Sequence, residues 1–156
     1  MKPSNQLSDA IHILAYIKIF ENTTELSSER IAQSVETNAT NVRKIMSQLR
    51  NAQLIVTTTG RPAPKLTRSI DDITLFDVYR AIAGSALILQ IDQKTNPNCV
   101  VGANIQVALD KAYQQVQTAA MKEMQSITLA MIIHDLSQAE IEQRSENRAL
   151  VAPYLN

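Results

Sequence analysis

Six polar side chains within one short span could read a nucleic acid: Thr40, Arg43, Lys44, Ser47, Gln48 and Asn51. Arginine bonds guanine through two parallel donors, Gln and Asn pair with adenine in the same bidentate way, and Thr reaches bases or phosphates. Asn38 and Asn41 stand at the start of that span, where a helix N-terminus favours a nearby phosphate. Arg61 and Lys65 come next and could follow a sugar–phosphate backbone or enter a minor groove. Cys99 carries chemistry of another kind. It is the chain's one cysteine, so it can react as a thiolate but cannot form an intrachain disulfide or a cysteine-only metal site. His12 and His134 are isolated and read as structural. No Ser/His/Asp arrangement, phosphate-binding glycine loop or metal-ligand spacing is present, so neither an enzyme nor a cofactor is expected.

The charge distribution supports the first of these chemistries. The 156-residue chain is neutral overall, yet residues 30–70 hold seven basic side chains against the single acid Glu36, a net of +6. A basic segment in a neutral chain suits a polyanion, because neutralised phosphates release their counterions. Six aromatic residues and three glycines favour helices over sheets. The absence of a long apolar run or a signal-peptide core leads us to expect a cytoplasmic protein.

The elements that must position these residues follow from periodicity and punctuation. Leu7, Ile11, Leu14, Ile17 and Phe20 recur at helical spacing and predict a first amphipathic helix. Ser27, with Leu26 and Ile31 as a hydrophobic staple, starts a second helix ending near Val35. After a polar break, Asn38 caps a third helix that buries Val42, Ile45, Met46 and Leu49 and turns Thr40, Lys44, Ser47 and Asn51 outward, with Arg43 and Gln48 on the flanks. A β-branched run at 54–58, a breaker cluster at 60–64 and a return strand at 65–67 predict a hairpin. A hairpin placed directly after a helix-turn-helix is the wing of a winged helix, with Arg61 and Lys65 near its tip. Ile73, Thr74, Asp77 and Val78 open a fourth helix that Gly84 ends.

Beyond an apolar stretch at 86–91, Asn96 is expected to cap a long helix with Pro97 at its first position. Its stripe of Val101, Ile105, Ala108, Leu109, Ala112, Val116 and Ala119 is longer than one small domain needs and suits packing against a second subunit. A break near Gln125 or Ser126 leads to a short apolar helix at 127–136, and Ser137 with Glu140 forms a capping box for a last polar helix.

Several of these residues together resemble the Rrf-two family of bacterial winged-helix regulators. The carriers are Thr37-Asn38 leading into Val42-Arg43-Lys44-Ile45, then Leu49-Arg50 with Ala52, Leu54 and Ile55, and Ile73-Thr74-Leu75. Asn98-Cys99-Val100-Val101-Gly102, followed by Asn104-Ile105-Gln106 and Leu109, is similar to the branch that holds hypochlorite-sensing and thiol-responsive members. The departures are specific. Where the family commonly has a glycine pair in the wing and a glycine before its first strand, this chain has Pro62-Ala63 and Gln53. Cluster-binding members carry three cysteines before the long helix, so with Cys99 alone an iron–sulfur cofactor is not expected. Cys99 in the first turn of the long helix would lie near the positive end of the macrodipole, which lowers a thiol pKa. The resemblance then implies a Cys99 to Cys99 bridge between subunits or a mixed adduct; the other reading is an unreactive cysteine.

These features predict a mainly α protein: a winged helix-turn-helix DNA-binding domain at 1–84, a linker and dimerisation helices at 85–136, and a C-terminal helix and tail at 137–156. The expected function is a homodimeric, sequence-specific DNA-binding regulator, a repressor on a palindromic operator with redox sensing through Cys99. Asn38, Thr40, Asn41, Arg43, Lys44, Gln48, Arg61 and Lys65 are its expected DNA contacts. The alternatives are a regulator with a small-molecule effector pocket between the winged domain and the long helix, and a winged module that contacts only proteins.

Overall fold

The computed structural model describes residues 5–156, without the side chains of Arg61 and Pro62. Helix α1 (Gln6–Ile19) is driven inward by Ala10, Ile13, Leu14, Ala15 and Ile17. Helix α2 (Ser28–Val35) starts at Ser27, whose Oγ accepts the N–H of Arg30 at 3.2 Å. The α2 helix stops at Glu36, which takes a left-handed φ of 57°. Two residues later Asn38 begins helix α3 (Ala39–Asn51), its Oδ1 accepting the Asn41 N–H at 2.8 Å. Both caps act within one turn of chain, which is why sequence alone places them. The α3 stripe is as expected, with Val42, Ile45 and Leu49 fully buried and Met46 partly so.

The hairpin is tighter than its sequence suggested. Strand β1 (Ile55–Thr58) pairs antiparallel with β2 (Arg61–Leu66), and the partner pair Thr58 and Arg61 leaves a loop of only Thr59 and Gly60. Gly60 supplies the positive φ of 79°. Residues 61–64 of the supposed breaker cluster are therefore strand, and Lys65 lies opposite Val56 in mid-ribbon rather than at the tip. A two-stranded ribbon has only edges, and this one carries a bulge between Val56 and Thr58, so Pro62 and Pro64 are tolerated.

Helix α4 (Leu75–Ala83) has the predicted capping box, with Thr74 Oγ1 accepting from the Asp77 N–H and Asp77 accepting from the Thr74 N–H, and ends at Gly84. Helix α5 (Ile105–Ser126) begins later than expected. Asn96 does not cap it. Its Oδ1 instead accepts the Asn98 N–H at 3.0 Å, a local turn that competes with a helix start. Gly102 closes that turn over Asn96, where any Cβ would fall 2.3 Å from the Asn96 carbonyl oxygen.

Helix α6 (Leu129–Gln143) runs unbroken through Ser137, contrary to the expected capping box. The Ser137 hydroxyl is buried and donates to the Ile133 carbonyl one turn back at 2.7 Å, so it needs no helix end to satisfy it. Glu140 is engaged by Arg144 and Asn147, which hold its carboxyl down at about 2. A short helix α7 (Arg148–Val151) closes the described chain, with Tyr154 donating to the Lys18 carbonyl of α1.

One core unites these parts: Ile13, Leu14 and Ile17 from α1, Ile31, the α3 stripe, Leu54 and Ile55, Ile73 and Val78, and Leu129 and Ile133 from α6. Each fully buried Leu or Ile contributes roughly 1.5–3 kcal/mol. Backbone bonds from Leu75 N to Ile127 O (2.8 Å) and Leu129 N to Ile73 O (2.7 Å) lash the starts of α4 and α6 together. Helix α5, by contrast, buries no residue.

Gln53 adopts a left-handed φ of 58° just before β1. That conformation costs an L-residue roughly 1–2 kcal/mol, partly offset in a glycine by about 0.5–1 kcal/mol of chain entropy. Gln53→Gly is therefore expected to stabilise the fold by about 0.5–1 kcal/mol, measured as a higher urea midpoint at unchanged slope.

Candidate nucleic-acid interface

The embedded stripe of α3 fixes what the opposite face shows. Thr40, Arg43, Lys44, Arg50 and Asn51 are exposed, and Ser47 is half-exposed between them. Arg43 reaches across the turn to Glu29 in the first turn of α2, with Nη2 to Oε1 at 2.5 Å. Lys44 has no ion-pair partner among the described residues and projects as a solvated cation. Arg50 lies near Ser47 (3.5 Å) and Thr57 of β1 (3.4 Å), at the junction of α3 and the wing. A groove bordered by Arg50, Gln53, Val56, Thr57 and Arg68 runs along that junction.

The remaining expected contacts are distributed differently. Asn38 is spent on its cap. Asn41 points back into the fold, its amide donating to Thr37 Oγ1 at 3.2 Å and lying 3.4 Å from Asp9. Gln48 also turns inward: its amide nitrogen lies 3.5 Å from the Ile82 carbonyl of α4, and its Oε1 is buried without a partner. It does not belong to the exposed face, because the flank of α3 it occupies is covered by α4. Lys65 is exposed on β2. The wing contact expected of Arg61 lies outside the described residues.

Residues missed from sequence are Arg50 and Glu29. Arg50 could have been found, since Arg43, Ser47 and Arg50 recur at helical spacing; Glu29 could not, because its partner is 14 residues away. The +6 segment is also partly neutralised from outside its own limits. Arg30 pairs with Glu25 (3.3 Å), Arg43 with Glu29, and Arg68 with Asp77 (3.7 Å). Lys44, Arg50 and Lys65 have no ion pair among the described residues, and they lie on the α3 face and the wing.

Cys99 is exposed in the turn that precedes α5, not in the helix's first turn. The macrodipole falls off within a turn and so does not act on it. The backbone N–H groups of Gly102 and then Val101 hydrogen-bond the sulfur instead, and they lower the thiol pKa from its ordinary value. The direction expected from sequence holds, with a different cause. His12 bonds Ser34 Oγ at 2.8 Å and His134 the Tyr154 carbonyl at 3.1 Å, both as structural partners.

Residues 3–135 match the profile of a family described as "Rrf2: Iron-dependent Transcriptional regulator". The "Putative HTH-type transcriptional regulator YwnA" of Bacillus subtilis (strain 168) is 38% identical over 133 residues, covering 85% of this chain and 98% of that protein. A crystal structure described as "a putative DNA binding protein" is 40% identical, with a TM-score of 0.66 over 82% of this chain and 98% of its own. CymR (YrzC), the global cysteine regulator of B. subtilis, shares the fold at 20% identity and a TM-score of 0.62, over 85% of this chain and 95% of its own. The iron in the family's description does not fit the donors here: one exposed thiol is the only cysteine, and among the described residues no three His, Cys, Asp or Glu side chains gather as a metal site. No helix among the described residues is long and apolar enough to cross a membrane. With its profile matched over most of its length, a winged-helix fold and a displayed cationic α3 face, the chain belongs to the Rrf2 family, whose members are DNA-binding transcriptional regulators and not enzymes.

Proposed function

We propose that this regulator is a sequence-specific homodimeric repressor that lays α3 in the major groove of a palindromic operator. The observation that carries the reading is the α3 face itself, where Thr40, Arg43, Lys44 and Ser47 stand outward on a helix whose other side is locked in the core. Arg43 reads a base edge, Thr40 and Lys44 hold bases or phosphates, and Lys65 contacts the backbone from the wing. The Asn38 cap contributes by directing the α3 N-terminus. Repression follows from occupying the site that polymerase needs.

The exposed state of α5 supports dimerisation. Val107 is 78% and Val116 51% exposed, and Ala108, Ala112 and Ala119 are open beside half-buried Ile105 and Leu109. A 22-residue helix with this much uncovered apolar surface suits a second copy of itself. Two-fold symmetry through α5 would set half-sites about one or two helical turns apart. The Cys99 turn leads directly into α5, so a two-electron oxidant that joins two Cys99 thiols, or caps each with a small thiol, would act at the base of the dimer helices.

A cavity of about 200 Å³ between residues 87–93 and α5 supports a second reading, a small-molecule effector. Leu87, Leu89, Ile91 and Tyr113 line it, and the Gln117 side chain beside them accepts the Ile88 N–H while its amide nitrogen is buried without a partner. A ligand acting there would shift α5 and the half-site spacing.

Selection of binding sites from random duplex DNA tests the main reading, with enrichment of a palindrome expected. On that site Arg43→Ala should lose about 1–3 kcal/mol of discrimination, whereas Lys65→Ala should weaken all sequences alike and flatten the salt slope by about one. Equal affinity of wild type and Arg43→Ala would remove Arg43 from the reading set. In sedimentation, Val116→Glu is expected to convert dimer to monomer; a dimer that survives it places the interface elsewhere. Because its pKa is lowered, Cys99 should be alkylated by iodoacetamide with a midpoint at lower pH than in the urea-unfolded chain, and coincident midpoints would count against a poised thiolate. Oxidant should release the operator from wild type and not from Cys99→Ser. Release from neither would direct the search to the α5 cavity.

A further inference from the structure

We propose that Glu29 is a specificity-determining residue of the DNA interface, acting through Arg43. This rests on the reading of α3 as the groove-binding helix. Glu29 lies in the first turn of α2, exposed, with its Oε1 2.5 Å from Arg43 Nη2. The two side chains are 62% and 59% exposed, so the pair does little for the stability of the fold. Its effect is on the guanidinium.

A guanidinium has five N–H donors in a planar fork. Glu29 engages one N–H of Nη2 and leaves the other, which shares an edge of the fork with a second nitrogen, free to meet the two acceptors of a guanine edge. Held from α2, Arg43 loses the freedom to swing toward the nearest phosphate, which is where an untethered arginine gains most of its sequence-independent affinity. The carboxylate also sets a negative charge beside the groove-facing end of α2, and this disfavours contacts made with phosphate alone. Both effects lower affinity for random DNA more than for a site that offers a guanine at the right place. Affinity is given up, and the ratio of right to wrong site rises.

The remaining charges on this surface do not duplicate the role. Glu25 is engaged by Arg30 at 3.3 Å and Asp77 lies 3.7 Å from Arg68, so Glu29 is the acid that meets the central cation of α3.

The test compares affinities for the selected palindrome and for random duplex across a salt series, using full-length wild type, Glu29→Gln, Glu29→Asp, Arg43→Ala and the Glu29→Gln/Arg43→Ala double variant. Glu29→Gln is expected to raise random-duplex affinity about threefold to tenfold, to steepen the salt slope by about one, and to raise selected-site affinity less, so that the ratio falls. Glu29→Asp, which keeps the charge but shortens the reach, should lose ratio without the gain on random duplex. In the Arg43→Ala background Glu29→Gln should lower the ratio clearly less than it does beside Arg43, because only the charge of the carboxylate, and no guanidinium to position, is then removed. A ratio that ignores Glu29→Gln, or that falls equally without Arg43, overturns the proposal while leaving the DNA reading intact. Failure of the wild type to enrich any site overturns that reading and this proposal with it.

Discussion

The interface depends on one packing constraint: α3 must be half embedded. Val42, Ile45 and Leu49 have no solvent exposure, and they meet residues from α1, α2, α4, α6 and the base of the hairpin in a single core. Successive residues on a helix are separated by about 100° around its axis, so a one-residue slip would carry Arg43 or Lys44 into that core. Burying an unpaired cation there costs far more than a helix of this size could recover. The apolar stripe therefore does two things at once, holding the domain together and aiming the polar face. The short turn ended by Glu36 and restarted by Asn38 fixes α2 against α3 closely enough for Glu29 to reach Arg43.

The same core draws in distant chain. Leu129 and Ile133 return from beyond α5, and the paired backbone bonds between the starts of α4 and α6 hold them in register. Tyr154 adds a bond to α1 from near the end of the chain. Helix α5 is the exception: it gives no fully buried residue to this core and is held by α4 and by residues 88 and 92 of the preceding segment. Much of its apolar surface, Val107 and Val116 included, is therefore exposed.

Electrostatics divides along similar lines. The basic segment read from sequence is real, but Glu25, Glu29 and Asp77 neutralise three of its members from outside it. What remains unpaired among the described residues, Lys44, Arg50 and Lys65, lies on the α3 face and the wing. Local charge counts cannot show this, because ion pairs of this kind form between elements. At Cys99 the distinction concerns mechanism: the lowered pKa comes from two backbone donors in a turn, not from a helix dipole, since the helix starts at Ile105.

The sequence by itself determined whatever closes within a few residues. Ser27, Asn38 and Thr74 cap their helices through bonds to the third residue on, and the 3.6-residue period of α1 and α3 marks their buried sides. The winged-helix order and the outward placing of Thr40 and Lys44 follow from those local rules, whereas of the two flanking residues Arg43 is exposed and Gln48 is turned inward. Tertiary structure decided the cases in which a polar side chain had two local options or a distant partner. Asn96 and Ser137 carry cap chemistry but satisfy it in a turn and along a helix, Gln48 is drawn against α4, and the two prolines of the wing become strand because a partner strand lies only on one side. Glu29 and Arg43 are 14 residues apart in sequence and in contact in space, and only the packing of α2 on α3 brings them together.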